Sequence, residues 1–182
     1  MSRPSSRFAR AACLMAGVFA AALLGGCSPS FNWRDVRPDD TGLLLLLPCK
    51  PDKAQRTVPL GGTPVELRMQ GCDAGGATFA IASANIGDAA VAAAVLEQWQ
   101  KLTLLNMRAE GQAQVTPLKT VGASPSPAAV LVKAQGKRAD GTAVTGQAAY
   151  FARGPQVFQA VLYADKLPQE ASETFFSSLK FE

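Results

Sequence analysis

The side chains able to do chemistry are few. The 182-residue chain contains no histidine. That removes the imidazole general base, the Ser-His-Asp and Cys-His nucleophilic sites, and the commonest nitrogen ligand for metals. Carboxylates are the other route to acid–base catalysis. The adjacent pair Asp39-Asp40 lies in a Ser-, Pro- and Asp-rich stretch, where solvation is the expected state. There is no Gly-x-Ser-x-Gly elbow, no phosphate-binding glycine loop and no EF-hand spacing. Gly61-Gly62 and Gly75-Gly76 read as turns. No catalytic, cofactor-binding or metal-binding residue is assigned, and neither an enzyme nor a bound cofactor is expected. What remains is cysteine: Cys13, Cys27, Cys49 and Cys72.

Cys27 stands at the end of a recognisable N-terminal pattern. Arg3, Arg7 and Arg10 precede sixteen apolar or small residues, Ala11 to Gly26. A basic start followed by a short apolar run is the profile of a secretory signal peptide, and sixteen residues fall short of the roughly 20 that span a bilayer. The run closes Leu24-Gly25-Gly26-Cys27. This resembles the lipobox of bacterial lipoproteins, in which the cysteine sulfur carries a diacylglycerol. The resemblance implies a signal peptide over 1–26, lipidation of Cys27 and a lipidated tether over 27–41. Serine at position 28, where an aspartate retains Gram-negative lipoproteins in the inner membrane, implies an outer-membrane protein facing the periplasm. Two or three acyl chains make such an anchor stable.

Removing residues 1–26 leaves 156 residues with 15 basic and 14 acidic side chains. The basicity of the whole chain comes largely from its leader, so no nucleic-acid partner is expected. Cys49 and Cys72 then form one pair in an oxidising compartment, and a structural disulfide is the expectation. Within the tether, Phe31 and Trp33 stand near Arg34 and Arg37. Two readings apply. The aromatics sit among lipid headgroups or on a partner with the guanidinium groups beside phosphates, or they fold back and cap the core.

Residues 42–182 read as a single domain. Leu43–Leu47 is five leucines long, which suits a strand buried on both faces. Lys50, Lys53 and Arg56 read as a solvated loop. Thr57–Leu60 and Thr63–Gln70 flank Gly61-Gly62 as a hairpin, with Val65, Leu67 and Met69 alternating against Glu66, Arg68 and Gln70. Ala77–Ser83 is a further strand. Asp88–Arg108 is the main helix, with Asp88 as N-cap and Val91, Val95, Trp99 and Leu102 as its apolar stripe. Strands follow at Ala113–Lys119, Ala128–Gly136, Thr142–Ala152 and Gln156–Ala164. The last is apolar on both faces, and so belongs mid-sheet. Pro168 opens a closing helix bearing Phe175, Phe176 and Leu179.

This order predicts an α+β fold: a mainly antiparallel sheet packed by one long helix and a C-terminal helix, an α/β/α-like sandwich. It resembles the PsbP-like and DcrB-like group of extracytoplasmic domains over roughly residues 42–182. The features carrying the resemblance are Gly42 before a short apolar strand ended by Pro48, the Phe79-Ala-Ile-Ala strand before a long helix, the Asp140-Gly141 hairpin and Phe175-Phe176-Ser-Ser-Leu179. The chain is also similar to uncharacterised proteobacterial envelope lipoproteins that begin with a segment like Phe31–Arg34. The resemblance implies an accessory or assembly role.

Three functions are open to such a chain. The leading one is a non-catalytic envelope module that binds a protein partner or scaffolds an assembly, marked by an exposed aromatic patch. The second is a carrier or sensor of a small apolar ligand held between sheet and helix. The third is a hydrolase built on carboxylates or an unconventional serine. The anchor is the part most directly tested: Cys27→Ser should move the protein from the membrane to the soluble fraction, and unchanged sedimentation with membranes would refute lipidation there.

Overall fold

The computed structural model describes residues 30–182, so the segment expected as a signal peptide and Cys27 lie outside it. The strands are β1 (Arg34–Val36), β2 (Leu43–Leu47), β3 (Asp52–Leu60), β4 (Thr63–Ala74), β5 (Ala77–Asn85), β6 (Glu110–Pro117), β7 (Val130–Lys137), β8 (Ala143–Arg153), β9 (Gln156–Ala164) and β10 (Lys180–Phe181). Two α-helices interrupt them, α1 (Ala92–Asn106) and α2 (Gln169–Ser177).

Seven strands form one antiparallel sheet in the order β3-β4-β5-β9-β8-β7-β6. Strand β9 is nearly all buried and lies between β5 and β8 at the centre of the sheet, with three strands on each side. Its alternate residues feed two cores. Phe158, Ala160 and Leu162 join Phe79, Ile81, Ala149 and Phe151 on one face. Val157 and Val161 join Leu67, Ala82, Ala148 and Tyr150 on the other, under Val95, Leu96 and Trp99 of α1.

The first core is covered mainly by strands. β2 pairs with β1 and β10 in a separate three-stranded antiparallel sheet, and Leu43, Leu45 and Leu47 face the large sheet beside Phe175 and Phe176 of α2. Ser172 Oγ donates to Gln147 Oε1 at 2.7 Å, and the Leu46 N–H donates to Ser178 Oγ at 2.9 Å, tying α2 and β2 into this layer. Cys49 and Cys72 are joined by a disulfide, Cα to Cα 6.0 Å, linking the end of the small sheet to β4 of the large one.

The expected α+β sandwich with one long helix is therefore corrected. The fold is β-rich, built on a large antiparallel sheet whose second cover is a small sheet with one short helix. Three local causes explain the difference. The segment expected as one helix over Asp88–Arg108 tightens to a 3₁₀ turn at Ala89–Val91 and stops at Asn106, and Arg108 adopts φ 45°, which no helix continues through. Residues 52–56, expected as loop, extend the hairpin as strand β3, because their backbone pairs with Gln70, Met69, Arg68 and Leu67 of β4 whatever their polarity. Arg34–Val36, expected as tether, pairs with Leu45–Leu47.

Both edges of the large sheet are irregular. β3 carries Lys53, Arg56 and Pro59, and β6 has a register break between Glu110 and Gln114 and ends at Pro117.

Phe79 is fully buried and meets the rings of Phe31, Trp33 and Phe175 edge-on, with centroids 6.2, 6.1 and 5.4 Å away. Phe79→Ala should cost about 3–5 kcal/mol, the range for emptying a buried Phe site. Urea unfolding followed by Trp fluorescence checks it; a loss under about 1 kcal/mol would mean that the site collapses around the smaller side chain.

Candidate functional site: the cleft beside helix α1

The sheet is seven strands wide, and one helix cannot cover it. α1 leans on β8 and β9, with Trp99 edge-on to Tyr150 at 6.5 Å. The β3–β4 hairpin folds toward the helix only near its tip. There the Gly61 N–H donates to Gln98 Oε1 at 2.9 Å, and Gly61 lies so close to Val95 that a methyl group would sit 2.7 Å from Cγ2. Gly61 also holds φ 67°, so glycine is needed twice over. Between that contact and the β7–β8 turn a cleft of about 650 Å³ remains open. This is a usual size for a small-molecule site.

Period two builds the floor. Met69, Ala82, Gln159 and Tyr150 lie opposite one another across β4, β5, β9 and β8, all on the helix side. Alanine at 82 leaves depth where a larger residue would fill it. The helix wall is Trp99, Leu102, Thr103 and Asn106, three and four residues apart.

Two polar groups interrupt this surface. Gln159 is buried, and its Nε2 donates to Thr103 Oγ1 at 2.7 Å and to Tyr150 Oη at 3.0 Å. Thr103 Oγ1 in turn donates to the Trp99 carbonyl at 2.9 Å. The amide orientation is thus fixed, and its Oε1 accepts no hydrogen bond from the described residues. Tyr163 lies further along β9, and its Oη makes no hydrogen bond among them either. Burial, with a smaller contribution from nearby Tyr150, pushes its hydroxyl up to about 12. Burial also raises Tyr150, against the opposing hydrogen bonds of Thr103 and Gln159.

The charged residues lining the cleft are all basic: Arg56 on β3 and Lys137 and Arg138 at the β7–β8 turn. Lys137 Nζ pairs with Glu110 at 2.6 Å, and Arg138 Nη1 pairs with Asp165 at 2.7 Å and donates to the Ala143 carbonyl at 2.9 Å. Arg56 has no ion pair among the described residues. No carboxylate, cysteine or serine lines the cleft. Its chemistry is therefore that of binding: a largely apolar bed, the neutral polar side chains of Thr78, Thr103, Asn106, Gln159 and Tyr163, and the basic Arg56, Lys137 and Arg138.

The residues singled out in the sequence lie elsewhere. Cys27 is outside the described residues. Phe31 and Trp33 stack on each other at 5.8 Å and lie half-buried on Phe79, on the sheet face opposite the cleft. Gly75, at φ 58°, makes room for Phe31: a methyl there would meet the ring at 2.5 Å. Arg34 is exposed and its Nε reaches the Asn32 carbonyl at 3.5 Å. Arg37 is ion-paired with Glu182, whose carboxylate raises the guanidinium's pKa while the guanidinium holds Glu182 below the usual carboxylate range. Asp39 pairs with Lys53 at 2.8 Å and Asp40 with Arg68 at 3.3 Å, all partly exposed.

The sequence reading offered a ligand held between sheet and helix but named none of the residues that line the cleft there as its site. Arg56 was set in a loop, and Gln159 went unremarked although it shares a face with Val157 and Val161. A glutamine inside an otherwise apolar strand is the available signal, because a buried amide needs partners.

The phenol gives a test. An unfolded tyrosine ionises near pH 10 and folded Tyr163 near 12, so between those values the unfolded state sheds a proton that the folded state keeps. Stability should fall as pH rises from about 10 to 12. Tyr163→Phe removes the group without breaking a protein hydrogen bond and should flatten that decline, leaving the part due to Tyr150. Urea titrations at pH 9, 10 and 11 measure this, and an unchanged slope in the variant would refute it.

Comparison with known proteins adds little. No protein-family model matches the chain, and no curated protein matches it. Among solved structures it is similar to PA94 of Pseudomonas aeruginosa, a protein of unknown function, with a TM-score of 0.35 and 18% identity over 78% of this chain and 88% of that one.

Proposed function

We propose that this protein is a lipid-anchored envelope protein, facing the periplasm, that carries or senses a small, largely apolar ligand held between α1 and the large sheet. The observation that carries the reading is the floor of the cleft. Leu67, Met69, Ala82, Trp99 and Leu102 line an open cleft of about 650 Å³, and Thr103 and Tyr150 hold Gln159 at its floor by hydrogen bonds. The lipobox-like ending at Cys27 supports the anchor.

An assembly role would favour a contiguous exposed patch with aromatic anchors. The large exposed hydrophobic residues among those described are Val91, Leu102, Leu105, Val115 and Val121, with no aromatic among them. Val91 ends the 3₁₀ turn before α1, Leu102 and Leu105 lie on α1, Val115 on edge strand β6 and Val121 in the loop after it, and Leu102 belongs to the cleft rim. The carrier reading therefore outranks the scaffold.

Native mass spectrometry of the lipidated protein, extracted gently from its own membranes, tests this. An additional small mass, released on denaturation, is expected. Leu102→Glu places a charge on the rim at a partly exposed position and should deplete that mass while leaving the thermal melt nearly unchanged. A wild-type spectrum with no added mass would sink the carrier reading, and a second protein at fixed stoichiometry would restore the scaffold.

A further inference from the structure

Resting on the carrier reading, we infer that the ligand is a single-chain anionic amphiphile taken from the bilayer to which the protein is anchored. Two independent observations lead there. The first is charge. Arg56, Lys137 and Arg138 line a cleft whose floor is apolar and whose lining has no carboxylate. Glu110 and Asp165, which pair with two of these cations, do not line it, and Arg56 has no ion pair among the described residues. A lone chain matches the floor, and an anionic headgroup matches the rim. A neutral hydrocarbon would leave the rim unused, and a small hydrophilic anion would leave the floor wet.

The second observation is position. Ala77 of β5 pairs with Ala164 of β9, which pairs with Thr145 of β8, so the β4–β5 turn and the β7–β8 turn lie at the same end of the sheet. Phe31 packs on Gly75 in the first turn, and Lys137–Ala139 of the second close one end of the cleft. Ser30 is three residues after Cys27. Three residues reach at most about 10 Å. An acyl group on Cys27 therefore holds the bilayer near the sheet end at which Lys137 and Arg138 stand. α1 runs toward that same end, since the Lys137 N–H donates to the Met107 carbonyl at 2.7 Å just past its last turn. An amphiphile leaving the membrane would meet the basic turn and the open cleft together.

The test uses the full lipidated protein reconstituted in phosphatidylcholine vesicles. The vesicles contain, in separate samples, equal amounts of lysophosphatidylglycerol or lysophosphatidylcholine, each carrying a photoactivatable diazirine in its acyl chain. After irradiation, labelled peptides are mapped. Labelling is expected on the peptides containing Met69, Trp99 and Leu102, about tenfold greater with the anionic probe. The double variant Arg56→Glu/Lys137→Glu changes exposed side chains only and should erase that preference, the size expected for reversing two partly exposed charges. An unchanged melt shows that the variant is folded. Equal cleft labelling by both probes would overturn the anionic assignment and leave the carrier reading standing. Absence of cleft labelling with either probe would overturn the amphiphile assignment as a whole, whereas the carrier reading falls only if the native mass spectrum also shows no added mass.

Discussion

Strand β9 is the constraint on which the rest depends. Phe158, Ala160 and Leu162 point one way and Val157, Gln159 and Val161 the other, and almost none of the strand reaches solvent. A strand apolar on both sides is stable only inside a sheet with two covers. The chain supplies them unequally. One face receives three leucines of β2, two phenylalanines of α2 and the aromatic pair from the N-terminal segment, and closes completely around Phe79 and Phe158. The other receives a single four-turn helix.

That inequality makes the cleft. A helix is about 10 Å across with its side chains, and neighbouring strands are 4.7–4.9 Å apart, so one helix shelters two or three strands of seven. α1 lies over β8 and β9, and the β3–β4 hairpin bends in to touch it at Gly61. The area between is neither solvent-facing sheet nor closed core. Small residues at Ala80, Ala82 and Ala84 keep it deep, and the Gln159–Thr103–Tyr150 hydrogen bonds keep its floor rigid without filling it.

Much of the element order was legible. The Gly61-Gly62 turn, the alternation at Val65, Leu67 and Met69, and the two-faced character of Gln156–Ala164 all come from local pattern, which sequence displays directly. The balance of layers was not. Whether Leu43–Leu47 joins the large sheet or forms another depends on its partners Arg34–Val36 and Lys180–Phe181, more than a hundred residues apart in the chain. Strand β3 was hidden because it is an edge. Its outward residues are polar, and its pairing with β4 is a backbone matter that side-chain periodicity does not report. The cleft was hidden for a related reason. Leu67, Met69 and Trp99 look like core residues, and only the third dimension shows that the opposing surface falls short of them.

The two irregular edges of the large sheet have a consequence of their own. An exposed strand presents unpaired amides and carbonyls to any neighbour of like shape. On β3, Pro59 offers no N–H, and Lys53 and Arg56 on one copy would face their equivalents on another across a new pair. On β6, the register break after Glu110 and the proline at 117 deny a long straight run. Edge-to-edge growth into ribbons is blocked on both sides. Neighbouring copies therefore remain separate molecules, each with its own cleft open to the solvent.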